Sequence, residues 1–123
     1  MGDRVVHFEI PVDDVARAAQ FYTNVFGWQI TKWAGPVDYW VINTGAPDTP
    51  GIDGGFATRG GPTTHTTNSI DVVDLDETLR KVQENGGQVI FPKMPVPGVG
   101  WLAYAQDVEG NSFGMMQSDV SAH

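Results

Sequence analysis

The sequence predicts an α+β fold in which two tandem βαβββ modules form a cupped, open eight-stranded sheet. Three observations lead to this prediction. Two segments have the apolar spacing of amphipathic helices, and acidic residues that can cap a helix, Asp14 and Asp74, lie 60 residues apart near their starts. Strand-like segments precede and follow both helices in the same order. Such a period indicates internal duplication, which decides the fold.

The first half begins with a strand pattern, "VVHFEIPV", from Val5 to Val12. The following helix, in "VDDVARAAQFYTNVFGWQI", is capped by Asp13 or Asp14 and ends at Gly27, which can adopt the left-handed conformation. The helix is followed by a strand that begins with Trp28, Gln29 and Ile30. Two further strands are predicted in the segments "DYWVINT", Asp38–Thr44, and "IDGGFAT", Ile52–Thr58.

The second half repeats this order. The strand "TTNSIDVV" leads to a helix in "DLDETLRKVQENGGQVI", which Asp74 caps and which Gly86 and Gly87 terminate. A strand begins at Gln88, and two more are predicted in the segments "WLAYAQD", Trp101–Asp107, and "NSFGMMQ", Asn111–Gln117. The segment "PKMPVPGVG", Pro92–Gly100, is predicted to be the longest loop. The segment "RGGPTTH", Arg59–His65, is predicted to join the halves.

One domain over residues 4–118 is expected, with modules at about 4–60 and 64–118, because neither half alone has enough apolar residues for a core. The 123 residues include no cysteine, which excludes disulfides and thiolate metal sites and fits a cytoplasmic protein. The net charge of −8 and the lack of a basic stripe argue against nucleic-acid binding and anionic membrane surfaces. No apolar run is long enough for a signal peptide or a membrane helix.

The segments "HFEIPVDD", "FYTNVFGW", "DLDETLRKVQENGGQVI" and "QDVEGNSFGMMQ" resemble the vicinal oxygen chelate superfamily of glyoxalases, bleomycin-resistance proteins and extradiol dioxygenases. The resemblance runs from about Val5 to Gln117. It implies paired βαβββ modules and, in metal-dependent members, one divalent metal held by four side chains in the sheet cup. It also implies that the protein forms homodimers.

The resemblance places the four metal-ligand positions at His7, Gly54, Thr67 and Gly114. Only His7 is a good ligand for zinc or a similar ion, which requires at least three such ligands. No conventional metal site or cofactor is therefore expected. One exception remains open: a one-residue slip of the strand holding Asp53 and Gly54 would bring Asp53 inward, and His7, Glu9 and Asp53 could then form an irregular divalent site.

Two functions remain open. The first is metal-independent binding of a small aromatic or amphipathic molecule in the cup, by His7, Glu9, Gly54, Thr67, Trp101 and Gly114. The second is a lyase or isomerase that acts on a carbonyl compound, with His7 and Glu9 as acid and base. Glycines at positions 54 and 114 would widen the cup, although both could instead relieve crowding in the sheet. Trp101 is expected to contact the ligand from the side of the proline-rich loop.

Overall fold

The predicted order of helices and strands is observed in both halves of the computed structural model, which describes residues 2–35, 38–60 and 64–123. The elements are β1 Arg4–Val12, α1 Val15–Phe26, β2 Gln29–Lys32, β3 Tyr39–Asn43, β4 Asp53–Thr58, β5 Thr67–Asp71, α2 Leu75–Glu84, β6 Gln88–Val96, β7 Gly100–Gln106 and β8 Ser112–Ser118. The strands form one open mixed sheet in the order β2-β3-β4-β1-β5-β8-β7-β6. The predicted α+β fold class is therefore confirmed. Residues 61–63 of the expected connection between the halves lie outside the described residues.

The ends of the helices follow from local chemistry. Asp14 and Asp74 have extended backbones, and their carboxylates accept hydrogen bonds from the amides of Arg17 and Glu77, each at 3.1 Å. These bonds satisfy amides that have no partner inside the first helical turn. Helix α1 ends at Gly27, whose φ of 74° is left-handed and whose amide bonds to the Thr23 carbonyl at 2.9 Å.

Backbone contacts divide the chain into two compact units. The first unit is residues 7–66, and the second unit is residues 67–123 together with the N-terminal residues through Val6. The division therefore falls inside β1. In the described part of the chain, neither helix has the length and apolar character needed to cross a lipid bilayer.

In the first unit, one face of the sheet packs against α1. Val12, Ile42 and Phe56 are buried there, and Phe8, Trp28 and Trp40 pack around them with the α1 side chains Val15, Ala18, Ala19 and Tyr22. Alternate residues of β1, β3 and β4 supply this core, because successive side chains of a strand point to opposite faces. The intervening residues therefore form a second face, which α1 does not cover.

The second unit has the same construction. Val72, Leu75, Ala103, Ala105 and Met115 are buried between the sheet and α2, and Ile70, Leu79, Val82, Trp101 and Phe113 pack against them. The alternate residues of β5, β7 and β8 lie on the face opposite α2.

The segment Pro92–Gly100 differs from the prediction that it is a loop. Strand β6 continues through Pro92 to Val96, and only a short turn separates it from β7. The pairing with β7 is irregular, with shifts between Val89 and Phe91 and between Phe91 and Met94. Because β6 is the outermost strand, prolines and bulges are tolerated there.

Candidate functional site

The candidate site lies on the face of the first unit that α1 does not cover. Parallel pairing of β1 with β4 sets His7 opposite Asp53 and Glu9 opposite Gly55, and antiparallel pairing of β3 with β4 sets Val41 opposite Gly55. Paired residues point to the same side of a sheet. We call this surface the open face: His7, Glu9, Tyr39, Val41, Asp53 and Gly55.

Tyr39 is the central side chain of the open face. Its hydroxyl lies 2.6 Å from His7 Nε2, and the charge of the Glu9 carboxylate acts on it. The ring lies directly over Gly55, where an added Cβ would be 1.9 Å from the Tyr39 hydroxyl oxygen. The absence of a side chain at Gly55 therefore allows Tyr39 to reach His7.

The surroundings of His7 and Tyr39 favour the uncharged form of both side chains. Burial lowers the pKa of the His7 imidazole, and the nearby Asp53 charge opposes this effect without reversing it. The pKa of the Tyr39 hydroxyl is raised by burial and by the nearby Glu9 carboxylate. At neutral pH the open face thus presents a neutral imidazole and a protonated phenol.

Asp53 has a structural role at the edge of the open face. Its carboxylate accepts hydrogen bonds from the Thr44 amide at 2.9 Å and from the Thr44 hydroxyl at 3.2 Å, and these bonds join β3 to β4. The slip considered for this strand is observed, because Asp53 shares a face with His7. Its carboxylate oxygen Oδ1, however, is already engaged by the hairpin.

The expectation that Gly54 shares a face with His7 is wrong. Gly54 is opposite Phe8, on the side packed against α1, and an added Cβ would lie 2.5 Å from the Phe8 ring and from the Phe8 carbonyl oxygen. Crowding in the core therefore requires glycine at this position. On the open face it is Gly55 that leaves space.

Thr67 and Gly114 lie on the face of the second unit opposite α2, as their positions in the repeat predict. Thr67 is 3% exposed, and its hydroxyl has no hydrogen-bond partner among the described residues. A Cβ at Gly114 would lie 3.2 Å from the Tyr104 ring and 3.4 Å from the Ser69 hydroxyl, so the glycine leaves only a small space. Ligand binding by Thr67 and Gly114 stays a prediction.

Trp101 does not lie where the sequence suggested. Its ring packs against the core between the sheet and α2, and Nε1 donates a hydrogen bond to Asp119 at 3.0 Å. The Lys93 ammonium lies 4.9 Å from the ring centroid. These contacts place Trp101 in the packed face of the second unit, where it is tied to the C-terminal segment.

The donor groups do not fit a conventional divalent metal site. His7 Nε2 is engaged by the Tyr39 hydroxyl, Asp53 is engaged by Thr44, and Gly54 and Gly114 have no side chain. No group of three or more His, Asp or Glu side chains in the described ranges has metal-binding geometry. A stable site needs at least three good ligands, and metal-independent binding stays a prediction.

Tyr39 and Gly55 were not among the site residues predicted from the sequence. The alternation in "DYWVINT" contains a signal for Tyr39, because Trp40 and Ile42 are the core residues and Tyr39 and Val41 must then face the other side. In "IDGGFAT", adjacent glycines give no indication of which one belongs to which face. The pairing with β1 decides this, and it is a tertiary property.

Comparisons with known proteins give a consistent set of relatives. Residues 4–45 match the bleomycin resistance protein-like N-terminal family. A glyoxylase-like domain-containing protein of Didymella fabae is 33% identical over 109 residues, which cover 85% of each chain. The anthracycline biosynthesis protein DnrV of Streptomyces peucetius is 30% identical over 127 residues, but these cover 92% of this chain and only 46% of DnrV.

Among solved structures, a variant of Streptomyces coelicolor methylmalonyl-CoA epimerase in complex with 2-nitronate-propionyl-CoA has a TM-score of 0.67 over the whole chain and 99% of the epimerase. At 14% sequence identity this likeness concerns the fold alone.

Proposed function

Because this chain belongs to the glyoxalase-like family of the vicinal oxygen chelate superfamily, we propose that it binds a small aromatic or amphipathic molecule at the open face without a conventional metal site. The observation that carries the proposal is the 2.6 Å contact between His7 Nε2 and the Tyr39 hydroxyl. This contact engages Nε2 of His7, the residue at the position that the resemblance assigns to the first metal ligand. The same contact gives His7 and Tyr39 a fixed geometry for polar recognition.

The surroundings of this polar group favour a partly apolar ligand. Val41 is 37% exposed on the open face, and Trp33 packs edge-on against Tyr39 with ring centroids 6.4 Å apart. Sites for small molecules typically combine apolar walls with a few fixed polar groups. The epimerase structure, which contains an acyl-CoA analogue, supports small organic ligands for this fold.

The proposal is tested by elemental analysis and a ligand screen. Protein purified without added metal is analysed as wild type, His7→Ala and the control His65→Ala, which removes an exposed histidine. We expect no stoichiometric metal in any of the three proteins. Near-stoichiometric metal that disappears only in His7→Ala would overturn metal-independent binding.

The same proteins then enter a thermal-shift screen of small aromatic compounds, because any ligand selective for the native state raises the midpoint of unfolding. We expect stabilisation of wild type and His65→Ala that is lost in His7→Ala. If a compound stabilises His7→Ala as much as the wild type, this would contradict the proposal that it binds at the open face.

A second candidate function is a lyase or isomerase acting on a carbonyl compound, and the proximity of His7 and of the Glu9 charge to the Tyr39 hydroxyl favours it. His7 and Glu9 would act as acid and base in proton abstraction beside the carbonyl. We expect no turnover of methylglyoxal with glutathione. Turnover of another carbonyl compound that depends on both His7 and Glu9 would favour the enzyme.

We also propose a homodimer. Phe21, Val25 and Phe26 of α1 are 56%, 55% and 60% exposed, so this helix presents large apolar side chains to its surroundings. Association of two copies would cover such side chains. Sedimentation at micromolar concentration distinguishes a dimer from a monomer.

A further inference from the structure

A cavity of about 360 Å³ lies beside the first two turns of α1, in the first unit. Its volume falls in the range of roughly 300–1,000 Å³ that is typical of small-molecule sites. We call it the α1 cavity, and it is lined by Val12, Asp13, Asp14, Arg17, Ala18, Phe21 and Arg59. None of these residues belongs to the open face, so the α1 cavity is a separate candidate site.

Arg59 lines the α1 cavity in a fixed position. Its amide donates to the Val12 carbonyl at 2.8 Å, its Nε donates to Asp13 at 3.1 Å, and its Nη2 donates to the Pro11 carbonyl at 3.4 Å. A guanidinium has five N–H donors, and these side-chain bonds use one at Nε and one at Nη2. The donors that remain on Nη1 and Nη2 have no partner among the described residues. Together they can donate two parallel hydrogen bonds to a carboxylate.

Arg17 supplies the second positive charge of the α1 cavity. In the part of the chain that the structure describes, Arg59 pairs with Asp13, whereas the Arg17 guanidinium makes no ion pair. The Asp14 carboxylate serves the end of the helix, where it accepts a hydrogen bond from the Arg17 amide. Two arginines and two aspartates give the α1 cavity a net charge of zero, while the chain as a whole carries −8. The lining therefore does not repel an anion as the net charge of the chain does.

The remaining walls of the α1 cavity are apolar. Val12 is buried, Ala18 packs against the core of the first unit, and Phe21 is 56% exposed. Phe21 follows Arg17 by one helical turn, so these two side chains are neighbours on α1. Because a guanidinium also stacks on aromatic faces, an arginine beside a phenylalanine suits a flat, apolar ring.

We propose that the α1 cavity binds a small aromatic carboxylate. The carboxylate accepts hydrogen bonds from Nη1 and Nη2 of Arg59 and pairs with the charge of Arg17, and the ring packs against Phe21. This site goes beyond the proposed function and does not depend on it, because binding at the open face uses other residues.

Calorimetric titration with 2-naphthoate and 2-naphthamide tests the proposal, because the two probes have nearly the same shape and differ in charge. We expect 2-naphthoate to bind about tenfold more tightly than 2-naphthamide to the wild type, as for one hydrogen bond to a charged group. Arg59→Gln and Arg17→Gln should each reduce this ratio, since each removes one of the two positive charges. Arg4→Gln is the matched control, because Arg4 is an exposed arginine that does not line the α1 cavity, and it should keep the ratio.

The variants separate binding from folding and from association. Arg17 is exposed, so its replacement leaves the packing of α1 unchanged, and every variant keeps Phe21, which the proposed homodimer uses. Equal values of Kd for the two probes, or no binding of 2-naphthoate by the wild type, would overturn the proposal. A ratio that stays unchanged in Arg17→Gln or in Arg59→Gln would overturn it as well. Loss of the ratio in His7→Ala would place the carboxylate at the open face instead.

Discussion

Gly55→Ala should displace Tyr39 from His7 while leaving the fold intact. The added Cβ would lie 1.9 Å from the Tyr39 hydroxyl oxygen and 2.1 Å from Cζ. Unlike the contacts at Gly54, all three nearest atoms belong to the end of a side chain that can turn away. The backbone of β4 is therefore not forced to move.

The size of the displacement follows from these distances. Normal contact needs about 3.5 Å, so the end of the Tyr39 ring must retreat by about 1.5 Å. A hydrogen bond of 2.6 Å can lengthen by only roughly 0.6 Å before it leaves the normal range. The bond to His7 is lost, at about 1 kcal/mol. Alanine also restricts the unfolded chain, which offsets about 0.4–1 kcal/mol and leaves a net cost under about 1 kcal/mol.

Urea unfolding followed by fluorescence of the four tryptophans measures this cost. Tyr39→Phe should cost about 1 kcal/mol, because it removes the same hydrogen bond. The double variant should cost about 1 kcal/mol less than the sum of the single changes, since the bond can be lost only once. Additivity within about 0.5 kcal/mol would refute the contact between Tyr39 and the space above Gly55.

Three further predictions concern packing, pH and association. Gly54→Ala should lower the free energy of unfolding by about 2–3 kcal/mol, because the added Cβ clashes with the Phe8 carbonyl. Gly114→Ala should change it by under about 1 kcal/mol, and equal costs of the two variants in urea unfolding would contradict this difference in crowding. Because the pKa of His7 is lowered in the folded protein, the unfolded chain takes up a proton at a higher pH than the folded protein. Stability should therefore fall as the pH drops below about 6.5, by at most about 1.4 kcal/mol per pH unit. His7→Gln should abolish the contribution of His7 to this fall, and an unchanged dependence of stability on pH in the variant would contradict the prediction. In sedimentation experiments, Phe26→Ser should shift the dimer toward the monomer. A wild-type protein that sediments as a monomer would contradict the proposed homodimer.

The helices and their ends could be predicted because their causes are local. An acidic cap at Asp14 or Asp74 and a left-handed glycine at Gly27 are each specified within a few residues. The fold class follows as well, since the same pattern occurs twice. Strand β6 could not be predicted through Pro92, because tolerance of proline depends on β6 being the outermost strand, which no local pattern reveals.

The candidate site was predictable only in part. His7 and Glu9 share a face by alternation alone. The partner of His7 depends on the register between β1 and β4, and a one-residue change of register exchanges Gly54 and Gly55 between the two faces. Tyr39 lies 32 residues from His7, so their contact is a product of the whole unit.

The register of β4 is displaced by one residue from the position that the 60-residue repeat predicts, and this displacement bears on how duplicated proteins diverge. Asp53 and Gly55 lie on the face of the first unit that α1 leaves uncovered, and Gly114 lies on the face of the second unit opposite α2, although the interval of 60 residues leads from Gly114 to Gly54. A single residue gained or lost in the connection before that strand would be enough to exchange the side chains on its two surfaces. Descent from one ancestral half can therefore yield two chemically unlike surfaces through a change of chain length in a loop, with few replacements in the strands themselves.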